Sequence, residues 1–70
     1  MKHFHVEVFF RKSGVKSEGL DETPDLDSYA SNTELLTIPA ASKESMTKKV
    51  LIEFPTAAYL YIIDVRSESL

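Results

Sequence analysis

Apolar and polar side chains alternate at the start of the chain, with Phe4, Val6, Val8 and Phe10 falling between His3, His5, Glu7, Phe9 and Arg11. A strand sends successive side chains to opposite faces, so period two sustained this long predicts a β-strand near residues 3–12. Ser13-Gly14 closes it, because glycine reaches turn angles without a Cβ clash. At the other end, the run Lys48-Lys49-Val50-Leu51-Ile52-Glu53-Phe54 is separated by Pro55-Thr56-Ala57 from a second run, Ala58 to Val65. Both are rich in β-branched and aromatic residues, and Pro55 can neither donate to a ladder nor continue a central strand. The pattern predicts a hairpin with strands near 48–54 and 58–66.

The middle of the chain has a different texture. Thr23, Pro24 and Asp25 have the order of an N-cap, a first helical position and a first-turn acid, and Leu26, Tyr29, Ala30 and Thr33 then share one helical face. A short helix is expected there, and a second between Pro39 and Lys48, with Leu35 to Ile38 extended before Pro39. Residues 13–22 read as a mobile loop. The expected fold is therefore α+β, one domain over 1–70: a small, three-stranded, mainly antiparallel sheet with one or two short helices from the central segment. The long crossover between the first two strands would leave them parallel, with the third between them.

Projected onto faces, Phe4, Val6, Val8 and Phe10 join Val50, Ile52 and Phe54 and Tyr59, Tyr61, Ile63 and Val65 as the expected core side. Phe9, Leu51, Leu60 and Ile62 then fall on the other side, among His5, Glu7, Glu53 and Asp64. An apolar patch rimmed by charge is either covered by the same chain or used on another one. At 70 residues a domain buries only about 60% of its unfolded surface. Little chain is left to cover a second face, so these four residues are the expected interface, with a homodimer as one occupant.

Composition narrows the chemistry. There is no cysteine, so neither disulfides nor a Cys/His zinc site can staple so small a domain, and a reducing, cytoplasmic setting is expected. No apolar run approaches the roughly 18 residues of a membrane span, and the opening residues lack the apolar stretch of a signal peptide. The net charge of −3 is unevenly spread, since residues 17–42 hold Glu18, Asp21, Glu22, Asp25, Asp27 and Glu34 without a base. Lys2, Arg11, Lys12, Lys16, Lys43, Lys48, Lys49 and Arg66 all lie outside that segment. Such a carboxylate-rich stretch suits a basic protein partner, which it would steer electrostatically. Leu20, Leu26 and Tyr29 give the segment apolar anchors.

Catalytic equipment is sparse. His3, His5 and Glu7 project from one strand face, but positions i and i+4 of a strand are about 13 Å apart, too far to share an ion. Asp21, Asp25 and Asp27 lack the glycine and closing glutamate of a calcium loop, and Pro24 intrudes. Gly14 and Gly19, the two glycines, form no phosphate cradle, and no serine sits in a nucleophile elbow. No metal, cofactor or reaction is expected. The leading expectation is a non-enzymatic regulator or inhibitor that binds a larger protein with a basic surface. Glu18, Asp21, Glu22, Asp25, Asp27 and Tyr29 would form its partner-binding segment, and the sheet patch would complete the contact. A nucleic-acid binder using the basic turns and a dimeric structural module are the alternatives; a sequence pI near 5.2 disfavours the former.

Overall fold

The structure, a computed structural model, describes residues 1–14 and 19–67. Three strands, β1 (Lys2–Arg11), β2 (Tyr29–Ala40) and β3 (Ala57–Ser67), form one sheet in the order β2-β1-β3, and a helix, α1 (Lys43–Glu53), links β2 to β3. β1 is antiparallel to both neighbours, running from Lys2↔Ala40 to Arg11↔Tyr29 on one side and from Lys2↔Ser67 to Phe10↔Ala57 on the other. The fold is thus a small α+β unit built on a three-stranded antiparallel sheet. The first strand, rather than the last, is central.

Residues 43–53 are helical where the sequence pattern suggested a strand over 48–54. Ser42 stands in extended backbone and its hydroxyl accepts the Ser45 amide at 3.2 Å, while Glu44 complements the positive end of the helix dipole. Met46 and Val50, one turn apart, then fall on the same side and are both fully buried. That stripe of contact outweighs the β preference of Val50-Leu51-Ile52, whose Ile52 points to solvent. The Phe54 amide closes the helix on Val50 O at 2.7 Å, and the Ala57 amide bonds Phe54 O at 3.0 Å. Pro55 therefore does mark a turn, but the turn joins α1 to β3 and no hairpin forms. Ser42→Ala should lower stability by about 1 kcal/mol, read as an earlier urea midpoint with an unchanged m-value.

The helix expected from Thr23 is reduced to a single 3-10 turn at Leu26–Ser28, after which the chain enters β2. Asp25 caps nothing with its side chain in the helical sense; its carboxylate instead accepts the Ser28 hydroxyl at 2.6 Å. The helix expected between Pro39 and Lys48 exists, displaced toward the C-terminus.

α1 covers one face of the sheet. Phe4, Val6 and Val8 of β1, Ala40, Met46, Val50 and Ala57 form the buried cluster, with Phe10, Leu20, Leu36, Ile38, Leu51, Phe54, Leu60 and Ile62 packed around it. Leu60 and Ile62 lie opposite Val8 and Val6, so they share the helix-covered side. Tyr61, Ile63 and Val65 are exposed. This reverses the faces expected for β3 from Tyr59 to Ile63, while Val65, opposite Phe4, keeps the expected side: the two sets of alternate residues are both apolar, and the register shifts where the His5 pairing gives way to the Val6 pairing.

Candidate docking surface

The face of the sheet away from α1 carries His5, Glu7 and Phe9 down its middle, Thr37, Leu35 and Thr33 beside them on β2, and Asp64, Tyr61 and Tyr59 on β3. Polar side chains on this face are tied to one another. Thr33 Oγ1 donates to Glu7 Oε2 at 2.7 Å, Thr37 Oγ1 lies 3.1 Å from His5 Nδ1, and Arg66 Nε donates to Asp64 Oδ2 at 3.0 Å. The Arg66 bond and charge hold the Asp64 carboxyl below the ordinary aspartate range. Between these pairs the large apolar side chains of Leu35, Tyr61 and Ile63 are 69%, 52% and 56% exposed. Leu35 and Ile63, with His5 and Thr37, border a shallow hollow.

One end of this face is closed by aromatic packing. Phe9 lies 5.8 Å, ring centre to ring centre, from both Tyr29 and Tyr59, and Tyr29 stacks on Tyr59 at 6.3 Å with 11° between the planes. Tyr29 is buried and its hydroxyl donates to Asp21 Oδ2 at 2.7 Å. Arg11 Nη2 donates to Asp21 Oδ1 at 3.2 Å, and the Asp21 amide bonds Ala58 O at 2.8 Å. The Tyr29 hydrogen bond, with Arg11 assisting, depresses the Asp21 pKa, while burial and the neighbouring Asp21 carboxylate push the Tyr29 phenol up. Asp21 thus clasps the acidic segment to the sheet.

The partner-binding residues expected from sequence divide accordingly. Tyr29 is core and Asp21 serves the chain itself, whereas Glu22, Asp25 and Asp27 are exposed at a tip that also presents Leu26, 68% exposed. Glu18 lies outside the described residues, as do Val15, Lys16 and Ser17 of the expected mobile loop. The expected interface residues do not share one surface. Phe9 is half-buried in the aromatic cluster on the open face, Leu60 and Ile62 pack under α1, and Leu51 is on α1 itself. Leu35, Tyr61 and Ile63 occupy the open face instead; the signal for Tyr61 and Ile63 is only the apolar character shared by both sides of β3.

A second concavity, about 460 Å³, lies between α1 and β2; Leu36, Ile38, Val50, Ile52 and Phe54 line it along with Lys49 and Glu53. Among the described residues, no group of three or more His, Asp or Glu side chains is arranged to hold a metal ion. Nor is any described helix long and apolar enough to cross a membrane.

No known protein family, curated protein or solved structure shows detectable similarity to this chain.

Proposed function

We propose that the protein is a non-catalytic binding module that docks on a larger protein through the open face of its sheet. The observation carrying this reading is the trio Leu35, Tyr61 and Ile63, exposed together on the face that α1 leaves bare. An apolar cluster set among hydrogen-bonded polar pairs has the composition of an interface centre, where aromatic and aliphatic anchors dominate binding and a polar rim excludes water. The exposed acids Glu22, Asp25 and Asp27 flank one end of the molecule and favour a partner with basic groups near the contact.

A nucleic-acid role has less support. Arg11 pairs with Asp21, Arg66 with Asp64 and Lys48 with Glu44, and Lys49 is bonded to the Pro39 carbonyl. These cations neutralise the chain's own groups rather than forming a common stripe for phosphates.

The test is affinity capture from the host followed by titration of the captured protein. Tyr61→Ser combined with Ile63→Asp should weaken binding at least about tenfold, or ~1.4 kcal/mol, while shifting folding stability by only about 0.5 kcal/mol. Glu22→Gln, Asp25→Asn and Asp27→Asn together should slow association and flatten its salt dependence. Unchanged affinity in the Tyr61/Ile63 variant would refute docking through this face.

A further inference from the structure

The two outer edges of the sheet are built differently. On β3 the Asp21 amide occupies the Ala58 carbonyl, the pairing with β1 shifts register at two places, and Asp64 and Arg66 stand near its end. Clamped backbone, bulges and charges are the devices that stop a strand edge from recruiting another chain. β2 lacks them over most of its length. Its pairing runs unbroken from Lys2↔Ala40 to Phe9↔Thr33, and Glu34 is the single charged residue between Tyr29 and Ala40. Among the described residues no strand pairs with its outer side.

Pro39 reveals which groups that edge offers. In an antiparallel pair each residue turns its N–H and C=O to the same side, and successive residues alternate. A proline is accommodated in a sheet with its nitrogen turned away from the neighbouring strand. Pro39 pairs with His3, and its carbonyl accepts the Lys49 ammonium of α1. By alternation, Thr33, Leu35 and Thr37 direct their amides and carbonyls outward. The row ends at Pro39, which has no donor and whose acceptor is already used.

We propose that this edge pairs with the same edge of a second copy of the chain, antiparallel about a two-fold axis at Leu35. The register follows from the residues. Centred on Leu35, the outward groups of Thr33 meet those of Thr37 in the other copy, Leu35 meets Leu35, and about six main-chain hydrogen bonds form. A centre at Thr37 would set Leu35 against the donorless Pro39, and a centre at Glu34 would oppose two carboxylates. With Leu35 at the centre, each Glu34 lies opposite the uncharged Leu36 of the other copy, so the two carboxylates are kept apart. The exposed Leu35 side chains meet on the open face, flanked by Thr–Thr pairs of the kind that stabilise cross-strand contacts, and Tyr61 and Ile63 on β3 of each copy stay bare for the docking proposed above. The product is a six-stranded sheet with one continuous open face. A strand seam buries less than the roughly 800 Å² per partner of a standard stable complex, so association in the micromolar range is expected.

Sedimentation equilibrium from about 1 to 500 μM, spanning a Kd of that order, should show a monomer–dimer equilibrium. Amide exchange should slow with concentration at Thr33, Leu35 and Thr37 but not at Leu36, whose amide already faces β1. Thr37→Pro removes one outward donor without touching the β1 ladder and should weaken dimerisation at least about tenfold; Leu35→Lys provides a second, independent disruption. Circular dichroism and the thermal midpoint verify that both variants remain folded. Ile63→Asp, which strikes the proposed docking face, should leave dimerisation intact, so failure of one reading is distinguishable from failure of the other. A monomer throughout the range overturns the proposal. So does a dimer indifferent to Thr37→Pro, or edge protection that appears only when an extended apolar peptide is added.

Discussion

Met46→Ala is expected to lower stability by about 2–5 kcal/mol. Met46 has no exposed surface and is the largest of the fully buried side chains, inserted between α1 and the β1 row of Phe4, Val6 and Val8. Truncation removes its transfer free energy and leaves a void that a sheet fixed on both sides of β1 cannot collapse to fill. A domain of this length has a total margin of roughly 3.5–10 kcal/mol, so urea unfolding of the variant should begin at or near zero denaturant. Met46→Leu, which preserves volume, should cost less than about 1.5 kcal/mol. Near-equal midpoints for Met46→Ala and wild type would mean that α1 does not pack as described.

Tyr29→Ala is expected to cost about 3–5 kcal/mol, the range for losing a buried aromatic ring, because Tyr29 stacks on Tyr59, touches Phe9 and holds Asp21. Tyr29→Phe separates the hydroxyl from the ring. Asp21 has its folded pKa lowered by the Tyr29 hydroxyl first and by Arg11 as well. A depressed carboxylate pKa contributes stability that is present above the ordinary aspartate value of about 3.9 and is lost as pH falls through the folded value. Tyr29→Phe should therefore be less stable than wild type at neutral pH, and the two should converge on acidification below about pH 4. Thermal melts across that range measure the convergence. Parallel curves would show that the hydroxyl does not hold Asp21 in solution.

What the sequence disclosed depended on whether alternation carried information. β1 is readable because its two faces differ: Phe4, Val6 and Val8 on one, His3, His5 and Glu7 on the other. β3 is readable as a strand but not as a face, since Leu60 and Ile62 are as apolar as Tyr61 and Ile63, and the register shifts beside His5 and Val6. Residues 43–53 mislead by local preference. Val50-Leu51-Ile52 favours a strand in isolation, and only the pairing of Met46 with Val50 against β1, a tertiary contact, makes the helix win. β2 is hidden for a related reason: Leu26, Tyr29, Ala30 and Thr33 sit at helical spacing, yet Tyr29 belongs to the ring cluster and Leu26 contacts little.

The candidate surface was legible in kind and misplaced in detail. The sequence pattern leaves one apolar face without enough chain to shield it and sets Phe9, Leu51, Leu60 and Ile62 there, Leu51 by a strand over 48–54 and Leu60 and Ile62 by alternation along 58–66. With residues 43–53 in α1, Leu60 and Ile62 lie on the shielded side of β3, and Tyr61 and Ile63, with Leu35 of β2, take exposed positions on the bare one. The acidic segment was legible as charge, whereas the use of Asp21 as a clasp depends on Arg11 and Tyr29 converging from two different strands.

Because β1 is the middle strand, every ladder in this molecule joins residues far apart in sequence; His3, for example, waits for both Pro39 and Arg66. No tight hairpin can serve as a seed, because even the consecutive strands β1 and β2 are separated by residues 12–28, so loop closure precedes any reward from pairing and places acquisition of the native state toward the slow end for so short a polypeptide. Until β3 docks, Phe4, Val6 and Val8 are borne on a strand with one bare flank, and the partly folded chain offers an edge that other chains can join.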